Sequence, residues 1–171
     1  MKVILIMAMS ADGKIGRDND DLSTKWTSPE DTKLFITITK EAGVLIMGRS
    51  TYDTFGKPLK DRLNIVLTST PDDFESYSDS LEYKSTVDGK NVLEELENRG
   101  FESVILAGGA KTNDLFLKNN LVDEIFLTIE PIIFGKGLCI AEHINLDKNL
   151  ELIEVNKLND HTINLHYRVI K

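Results

Sequence analysis

The sequence predicts an α/β fold with a mostly parallel central sheet and a C-terminal antiparallel hairpin. Apolar runs alternate with helical patterns along most of the 171 residues, as is typical of parallel sheets covered by helices. The runs at 3–9, 44–47 and 63–68 are nearly continuous, as expected of strands that are buried on both faces. Alternating patterns at 150–158 and 163–169 predict the hairpin, which would add an antiparallel edge.

Local signals define the elements between these runs. Ser28 fits a helix N-cap and Pro29 suits the first helical position, so we predict a helix over 29–42 that ends at Gly43. Further helices are predicted over about 50–55, 87–99 (with Asp88 near its start) and 112–119, further strands over 81–84, 103–107 and 124–129, and a loop over 71–80.

Composition narrows the class of protein. The formal net charge of −8 argues against a nucleic-acid binder. Cys139 is the one cysteine and the three histidines match no metal-binding spacing, so we expect no metal site. No run approaches the ~18–20 apolar residues of a membrane helix. We therefore expect one cytoplasmic domain over 1–171 that acts on a small molecule and has no membrane partner.

Asp31 is an acid on the apolar face of the predicted helix 29–42. Residues three, four and seven apart share one face, which groups Asp31 with Leu34, Phe35 and Ile38. A carboxylate there is costly unless a partner stabilises it, so a cationic or protonatable ligand would explain its position. The pattern Ser28-x-x-Asp31 also fits a capping box, in which the acid satisfies a backbone donor. Both interpretations stay open.

Three predicted strand ends carry residue types that bind phosphates. The carboxyl ends of parallel strands meet at one edge of a sheet, where ligands bind. Glycine permits close backbone approach, hydroxyls and amides donate hydrogen bonds, and a helix N-terminus favours anions. Neither a G-x-G-x-x-G fingerprint nor a P-loop is present. The three runs are Gly48-Arg49-Ser50-Thr51, Thr68-Ser69 and Gly108-Gly109-Ala110-Lys111-Thr112.

Several of these motifs resemble dihydrofolate reductase, in order from residue 3 to about residue 130. The resemblance is sharpest over 44–69, and it includes Asp12-Gly13-Lys14-Ile15-Gly16 and Trp26-x-x-Pro29-x-Asp31-x-x-x-Phe35. It implies a three-layer dihydrofolate reductase-like fold and an NADPH-dependent reduction of 7,8-dihydrofolate to 5,6,7,8-tetrahydrofolate.

The resemblance also implies roles for individual residues. Asp31 would hydrogen-bond the pterin and promote its protonation, Thr128 would support that acid, and Trp26 would lie beside the mobile loop that closes over the nicotinamide. Arg62 would pair with the glutamate tail, and the remaining substrate pocket would comprise Ile6, Ala8, Phe35, Phe55, Leu59 and Ala107. NADPH would be held by Ala8, Ile15, Gly16, Gly48, Arg49, Ser50, Thr51, Leu67, Thr68, Ser69, Gly108, Gly109, Ala110, Lys111 and Thr112, with Arg49 and Ser69 near its 2′-phosphate.

The loop before Trp26 and the C-terminal half resemble a sister family. The loop at 20–25 is longer than dihydrofolate reductase usually has. The segment 9–15 and the runs Lys25-Trp26-Thr27-Ser28 and Gly135-Lys136-Gly137 are similar to the reductase domain of the riboflavin-biosynthesis deaminase-reductase. That resemblance implies the same fold and NADPH, with 5-amino-6-(5-phosphoribosylamino)uracil as substrate and a hairpin that can mediate a dimer. We expect dihydrofolate because Asp31 and Arg62 are both in place. The alternatives are the aminopyrimidine reductase and a non-catalytic nucleotide-binding module, as a monomer or a homodimer.

Overall fold

The computed structural model of the protein describes residues 1–77, 79–86 and 89–171. Its helices are α1 (Pro29–Ala42), α2 (Arg49–Phe55), α3 (Gly89–Asn98) and α4 (Ala110–Lys118). Its strands are β1 (Lys2–Ser10), β2 (Val44–Gly48), β3 (Leu63–Thr68), β4 (Leu81–Ser85), β5 (Ser103–Leu106), β6 (Glu124–Glu130), β7 (Leu150–Lys157) and β8 (Ile163–Val169). Short 3-10 turns lie at Ser23–Lys25 and Pro71–Asp73.

Within the described residues, eight strands form one sheet in the order β4-β3-β2-β5-β1-β6-β8-β7. The pairs from β4 to β6 are parallel, whereas β8 runs antiparallel to both β6 and β7. The predicted fold class is therefore confirmed, including the terminal hairpin. At the hairpin turn, the side chain of Asn159 accepts hydrogen bonds from the backbone N–H groups of His161 (2.8 Å) and Thr162 (2.9 Å).

The predicted element boundaries hold to within two residues, with two differences in the interior of the chain. Helix α4 begins at Ala110 rather than 112, because Gly109 supplies the extended N-cap residue. The predicted loop over 71–80 contains the 3-10 turn at Pro71–Asp73. Val87 and Asp88, where we expected the third helix to begin, lie outside the described residues.

The sheet is buried between two helical layers. In β2, the side chain of Ile46 joins a cluster with Leu96 of α3 and Phe116 of α4 on one face. Leu45 of the same strand joins a second cluster with Phe35 of α1 on the opposite face. Successive strand residues point to opposite faces, so a nearly continuous apolar strand supplies both cores. The expected three-layer arrangement is present.

Helix α1 begins and ends as the sequence predicted, but its N-terminal hydrogen bonds differ from a capping box. The Ser28 hydroxyl accepts a hydrogen bond from the Asp31 backbone N–H (3.3 Å), and Gly43 ends the helix with φ 71°. The reciprocal bond is absent among the described contacts of Asp31. Instead, the Ser28 backbone N–H donates to Glu130 at the end of β6, at 2.7 Å. The cap is therefore completed from a distant strand.

The segment after β1 is fixed against the residues that follow β6. The Asp12 carboxylate accepts hydrogen bonds from the Ser10 hydroxyl (2.6 Å) and from the backbone N–H groups of Phe134 (3.0 Å) and Gly135 (2.7 Å). The Arg17 guanidinium lies over the Phe134 ring, 4.1 Å from its centroid. Trp26 contacts the same ring edge-to-face at 5.1 Å. One aromatic ring thus holds both ends of the loop.

Strand β7 forms an exposed edge of the sheet. Leu150, Leu152 and Val155 are 43%, 51% and 54% exposed. Among the described residues, no helix is both long and apolar enough to cross a membrane. Across the same residues, no group of histidine, cysteine, aspartate and glutamate side chains has a metal-binding arrangement.

Substitution of Asp12 by Asn tests the loop attachment. The donors around Asp12 lower the pKa of its carboxyl from 3.8 to about 2, the Ser10 hydroxyl having the largest effect. A lowered pKa stabilises the folded state above pH 3.8, and this contribution is lost as the pH falls toward 2. We expect Asp12→Asn to unfold at a lower temperature than wild type at pH 7, with the difference shrinking between pH 4 and 2. Thermal unfolding by circular dichroism measures both, and a pH-independent difference would contradict the assignment.

Candidate active site

A cleft of about 1030 Å³ opens at the carboxyl ends of the parallel strands. One wall is formed by α1 and the loop at 18–24, and the other by α4 and the segment 138–144. Most of the residues predicted for the site line this one cleft. They are Ile6, Ala8, Ile15, Asp31, Phe35, Gly48, Arg49, Ser50, Thr51, Phe55, Leu67, Thr68, Ser69, Ala107, Gly109, Ala110, Lys111 and Thr112.

Asp31 presents a partly buried carboxyl to the cleft. The hydroxyls of Thr128 and Thr27 lie beside it and act to lower its pKa. Behind it, the Asn164 side-chain amide donates to the Thr128 hydroxyl at 3.0 Å, which leaves the Thr128 proton free to point at Asp31. Burial, opposed by the two hydroxyls and reinforced by the negative charge of Glu130, raises the pKa of Asp31 above its ordinary value. The carboxyl is therefore held in place and biased toward its protonated form.

Glu130 is a second acid at the start of α1, and it is only 3% exposed. One carboxylate oxygen accepts hydrogen bonds from the Ser28 backbone N–H (2.7 Å) and the Ser28 hydroxyl (2.8 Å). The other oxygen accepts from the Thr162 hydroxyl at 2.9 Å. Three donors therefore replace much of the water that this carboxylate loses on burial.

The glycine-rich strand ends meet closely on the floor of the cleft. A Cβ atom added to Gly48 would lie 2.7 Å from the Thr112 hydroxyl oxygen, so β2 and α4 approach too closely for a side chain. One added to Gly109 would lie 3.3 Å from the Thr51 hydroxyl oxygen. Gly109 is the N-cap of α4 and supplies no side-chain hydrogen bond, which leaves the first backbone N–H groups of that helix available to a ligand.

This floor fits a phosphorylated dinucleotide such as NADPH. Its hydroxyls and unpaired helix donors would contact phosphate oxygens, and Arg49 and Lys111 add positive charge to the lining. The Arg49 guanidinium is held by both oxygens of Asp53 at 2.7 and 2.8 Å and lies 4.0 Å from the centroid of Phe74. The cationic group is thus oriented before any ligand binds.

The far end of the cleft contains residues that the sequence did not single out. Asp114 of α4 is 5% exposed and accepts hydrogen bonds from the backbone N–H groups of Glu142 and His143, both at 3.0 Å. Its carboxylate also contacts the His143 ring nitrogen Nδ1 at 3.0 Å. These contacts fix the segment 138–144 against α4 and bring His143 into the lining.

Six predicted site residues lie outside the lining. Thr128 contacts the cleft only through Asp31, and Trp26 packs on Phe134. The Arg62 guanidinium is directed to the Lys60 carbonyl oxygen (2.9 Å) and the Thr39 hydroxyl, and Arg62 is 9% exposed. The remaining three, which likewise do not line the cleft, are Gly16, Leu59 and Gly108.

Glu130, Thr162 and Asn164 are the contacts of the site that sequence reasoning missed. Glu130 could have been found, because it lies two residues after Thr128 and therefore on the same face of the strand. Thr162 and Asn164 carry no local signal. They reach Glu130 and Thr128 only because β8 pairs with β6, with Asn164 opposite Thr128.

Comparison with known proteins places this geometry in context. The sequence pattern of the RibD C-terminal domain matches residues 1–163. Dihydrofolate reductase of Bacillus subtilis is 34% identical over 132 residues, which cover 74% of this chain and 67% of that protein.

Two solved structures share the fold at 23% identity. A putative riboflavin biosynthesis protein from a Shewanella species superposes with a TM-score of 0.83 over the whole of both chains. Dihydrofolate reductase from Enterococcus faecalis, solved with NADP(H), gives a TM-score of 0.68 over 99% of this chain and 97% of the other.

Substitution of Arg49 by Gln tests whether this cation meets the 2′-phosphate of the cofactor. A charge-assisted hydrogen bond contributes about 1.5–3 kcal/mol, so the Kd for NADPH should rise roughly tenfold to a hundredfold. NADH lacks the 2′-phosphate and is the matched control, and its Kd should change little. Isothermal titration calorimetry measures both, and equal weakening of the two cofactors would contradict the assignment.

Proposed function

The chain belongs to the RibD C-terminal domain family, and we propose that it is an NADPH-dependent reductase of a phosphorylated ribosylaminopyrimidine, 5-amino-6-(5-phosphoribosylamino)uracil. More broadly, it is an oxidoreductase of the dihydrofolate reductase-like superfamily. The cleft at the strand ends, with a dinucleotide floor beside a buried acid, supports this assignment.

The position of Asp31 is the observation that supports a reductase in this cleft, and the direction of Arg62, described below, decides between the two candidate substrates. The ring-opened form of a ribosylamine is an imine, and protonation of its nitrogen makes the adjoining carbon a better hydride acceptor. Asp31 faces the cleft, and burial raises its pKa, so at a given pH more of it is protonated than of an exposed aspartate. The products are then balanced: the carbon gains a hydride, the nitrogen gains a proton, and the imine becomes an amine.

The cofactor supplies the hydride when it is bound. The residues that would hold it are those of the floor, where Gly48 and Gly109 permit close backbone approach and Arg49 supplies charge. The apolar residues Ile6, Phe35 and Phe55 line the cleft on the α1 and α2 side and would exclude water from the substrate ring. The protein would thus align the nicotinamide ring, the substrate ring and the Asp31 carboxyl with one another.

The orientation of Arg62 favours the aminopyrimidine over dihydrofolate. The expected contact with a glutamate tail needs a free cationic group at the cleft. Arg62 instead donates to Thr39 and Lys60, and it does not line the cleft. Lys111 and Lys118 do line it, and either side chain suits the phosphate of a ribosyl substrate. The match of the RibD C-terminal domain over residues 1–163 supports the same choice.

Reduction of dihydrofolate is the second candidate, and the pair formed by Asp31 and Thr128 favours it. This is the arrangement that the resemblance to dihydrofolate reductase implied for protonation of a pterin. The 34% identity to the Bacillus subtilis enzyme also supports it. Both candidates place the acid and the cofactor in the same cleft, so they differ in substrate and share the machinery.

Parallel assays with the two substrates test the proposal. We expect purified protein to oxidise NADPH, followed at 340 nm, with 5-amino-6-(5-phosphoribosylamino)uracil and only weakly with dihydrofolate. The physical reason is that the Arg62 guanidinium is directed to Lys60 and Thr39 and does not line the cleft, where the folate tail would need it. Turnover of dihydrofolate alone would replace the proposal with the second candidate, and turnover of neither in a protein that binds NADPH would favour a binding module.

The substitution Asp31→Asn tests the acid. The loss of general acid catalysis typically costs 10²–10⁴-fold, so we expect kcat at pH 7 to fall about a hundredfold or more while the Kd for NADPH stays unchanged. The loss should be smallest at low pH, where the substrate is protonated by solvent.

Glu30→Gln is the matched control for Asp31→Asn. It removes the neighbouring charge in the same turn of α1, where Glu30 faces outward and accepts a hydrogen bond from Asn159 at 3.0 Å. Near-normal rates for Asp31→Asn at neutral pH would contradict the role of Asp31.

A further inference from the structure

Glu130 is a buried acid that the proposed mechanism does not use. Its hydrogen-bond partners in the described part of the chain are the neutral groups of Ser28 and Thr162, so no cation neutralises it there. A buried carboxylate is costly even when hydrogen-bonded, and an apolar residue would close the same space more cheaply. Its place beside Asp31 suggests a purpose.

We propose that Glu130 is a positioning residue for Asp31, which fixes the first turn of α1 through Ser28 and holds a negative charge beside the Asp31 carboxyl. The inference rests on the proposed function, in which Asp31 protonates the substrate.

Hydrogen bonds join Glu130 to the backbone of Asp31 through Ser28. Both donors of Ser28 bind one oxygen of Glu130, at 2.7 and 2.8 Å. The Ser28 hydroxyl also accepts the Asp31 backbone N–H at 3.3 Å. A continuous path of hydrogen bonds therefore joins Thr162, Glu130, Ser28 and the backbone of Asp31. Movement of Glu130 would shift the turn on which Asp31 is mounted.

Glu130 also acts on the Asp31 carboxyl through its charge. Asp31 is faced by Thr27 from the preceding loop and by Thr128 and Glu130 from β6, and Glu130 is the charged member of this group. On α1 itself, Glu30 is turned outward toward Asn159. Asn164 and Thr162 of the hairpin are neutral. Like charges disfavour joint ionisation, so Glu130 raises the pKa of Asp31.

Glu130 lies at the N-terminus of α1. The positive end of a helix favours an anion, and Ser28 gives Glu130 two donors at that end. Asp31 lies in the same first turn, but its contacts are side-chain hydroxyls in a partly buried pocket, and burial is the largest influence on its pKa.

The substitution Glu130→Gln removes the charge and keeps the shape. The Gln carbonyl oxygen can accept both Ser28 donors, and its amide can donate to the Thr162 hydroxyl. Glu130→Asp keeps the charge on a shorter side chain. Glu124→Gln is the matched control, since Glu124 lies on the same strand about 20 Å away and pairs with Lys2 and His166.

The measurement is the titration of the Asp31 carboxyl by carbon NMR in protein labelled at aspartate, with the signal assigned from Asp31→Asn. It needs neither substrate nor cofactor. We expect the midpoint to fall in Glu130→Gln, and to stay near the wild-type value in Glu130→Asp and Glu124→Gln. An unchanged or raised midpoint in Glu130→Gln would overturn the inference. If Glu130→Gln does not fold, a lowered midpoint in Glu130→Asp would overturn it as well.

The pH–rate profile gives the catalytic counterpart. If activity needs the protonated acid, the high-pH limb of kcat should move to lower pH in Glu130→Gln, with the KM for NADPH unchanged. A purely structural role would lower kcat at all pH values without moving the limb, and it would overturn the electrostatic part. Failure to reduce either substrate would refute the proposed function, while the NMR titration would still test the inference.

Discussion

Burial of the central strands on both faces is the constraint on which the rest of this structure depends. Leu45, Ile46 and Ile105 are fully buried, and alternate residues of β2 serve opposite helical layers. The side chains in the middle of these strands are thus committed to packing. The residues available for binding and catalysis therefore lie at the carboxyl ends of the strands, and because the strands are parallel these ends meet at one edge of the sheet.

The position of α1 follows from contacts at its first turn more than from its own sequence. Its cap is shared between the local Ser28 hydroxyl and the distant Glu130, and Thr162 of the hairpin holds that acid in turn. The antiparallel extension of the sheet therefore has a part in the candidate site, although it contributes nothing to the lining of the cleft. The hairpin also supports Asp31, because Asn164 of β8 donates a hydrogen bond to Thr128, which lies beside the Asp31 carboxyl.

The sequence predicted those features that depend on local pattern. Composition and spacing predicted the buried strands, the start of α1 at Ser28 and Pro29, and the three strand ends with phosphate-binding residue types that meet at one cleft. The direction of the Arg62 side chain could not be predicted from the sequence. Nothing in the local sequence indicates that its guanidinium donates to Thr39, 23 residues earlier in the chain.

The residues that support Asp31 from the hairpin could not be predicted from the sequence for a related reason. Thr162 lies just before β8 and Asn164 within it, and the pairing of β6 with β8 brings them to Glu130 and Thr128. Pairing between strands so far apart in sequence depends on the whole fold, and no window of residues encodes it.

The contact between Trp26 and Phe134 has a practical consequence. Trp26 is the single tryptophan of the protein, and it lies 5.1 Å from a ring that also holds Arg17. Its indole N–H is buried and has no partner in the described residues. All intrinsic tryptophan fluorescence of this protein therefore originates at the contact between the loop and the segment after β6. The emission spectrum of Trp26 therefore reports, without any added label, whether the loop is in contact with Phe134.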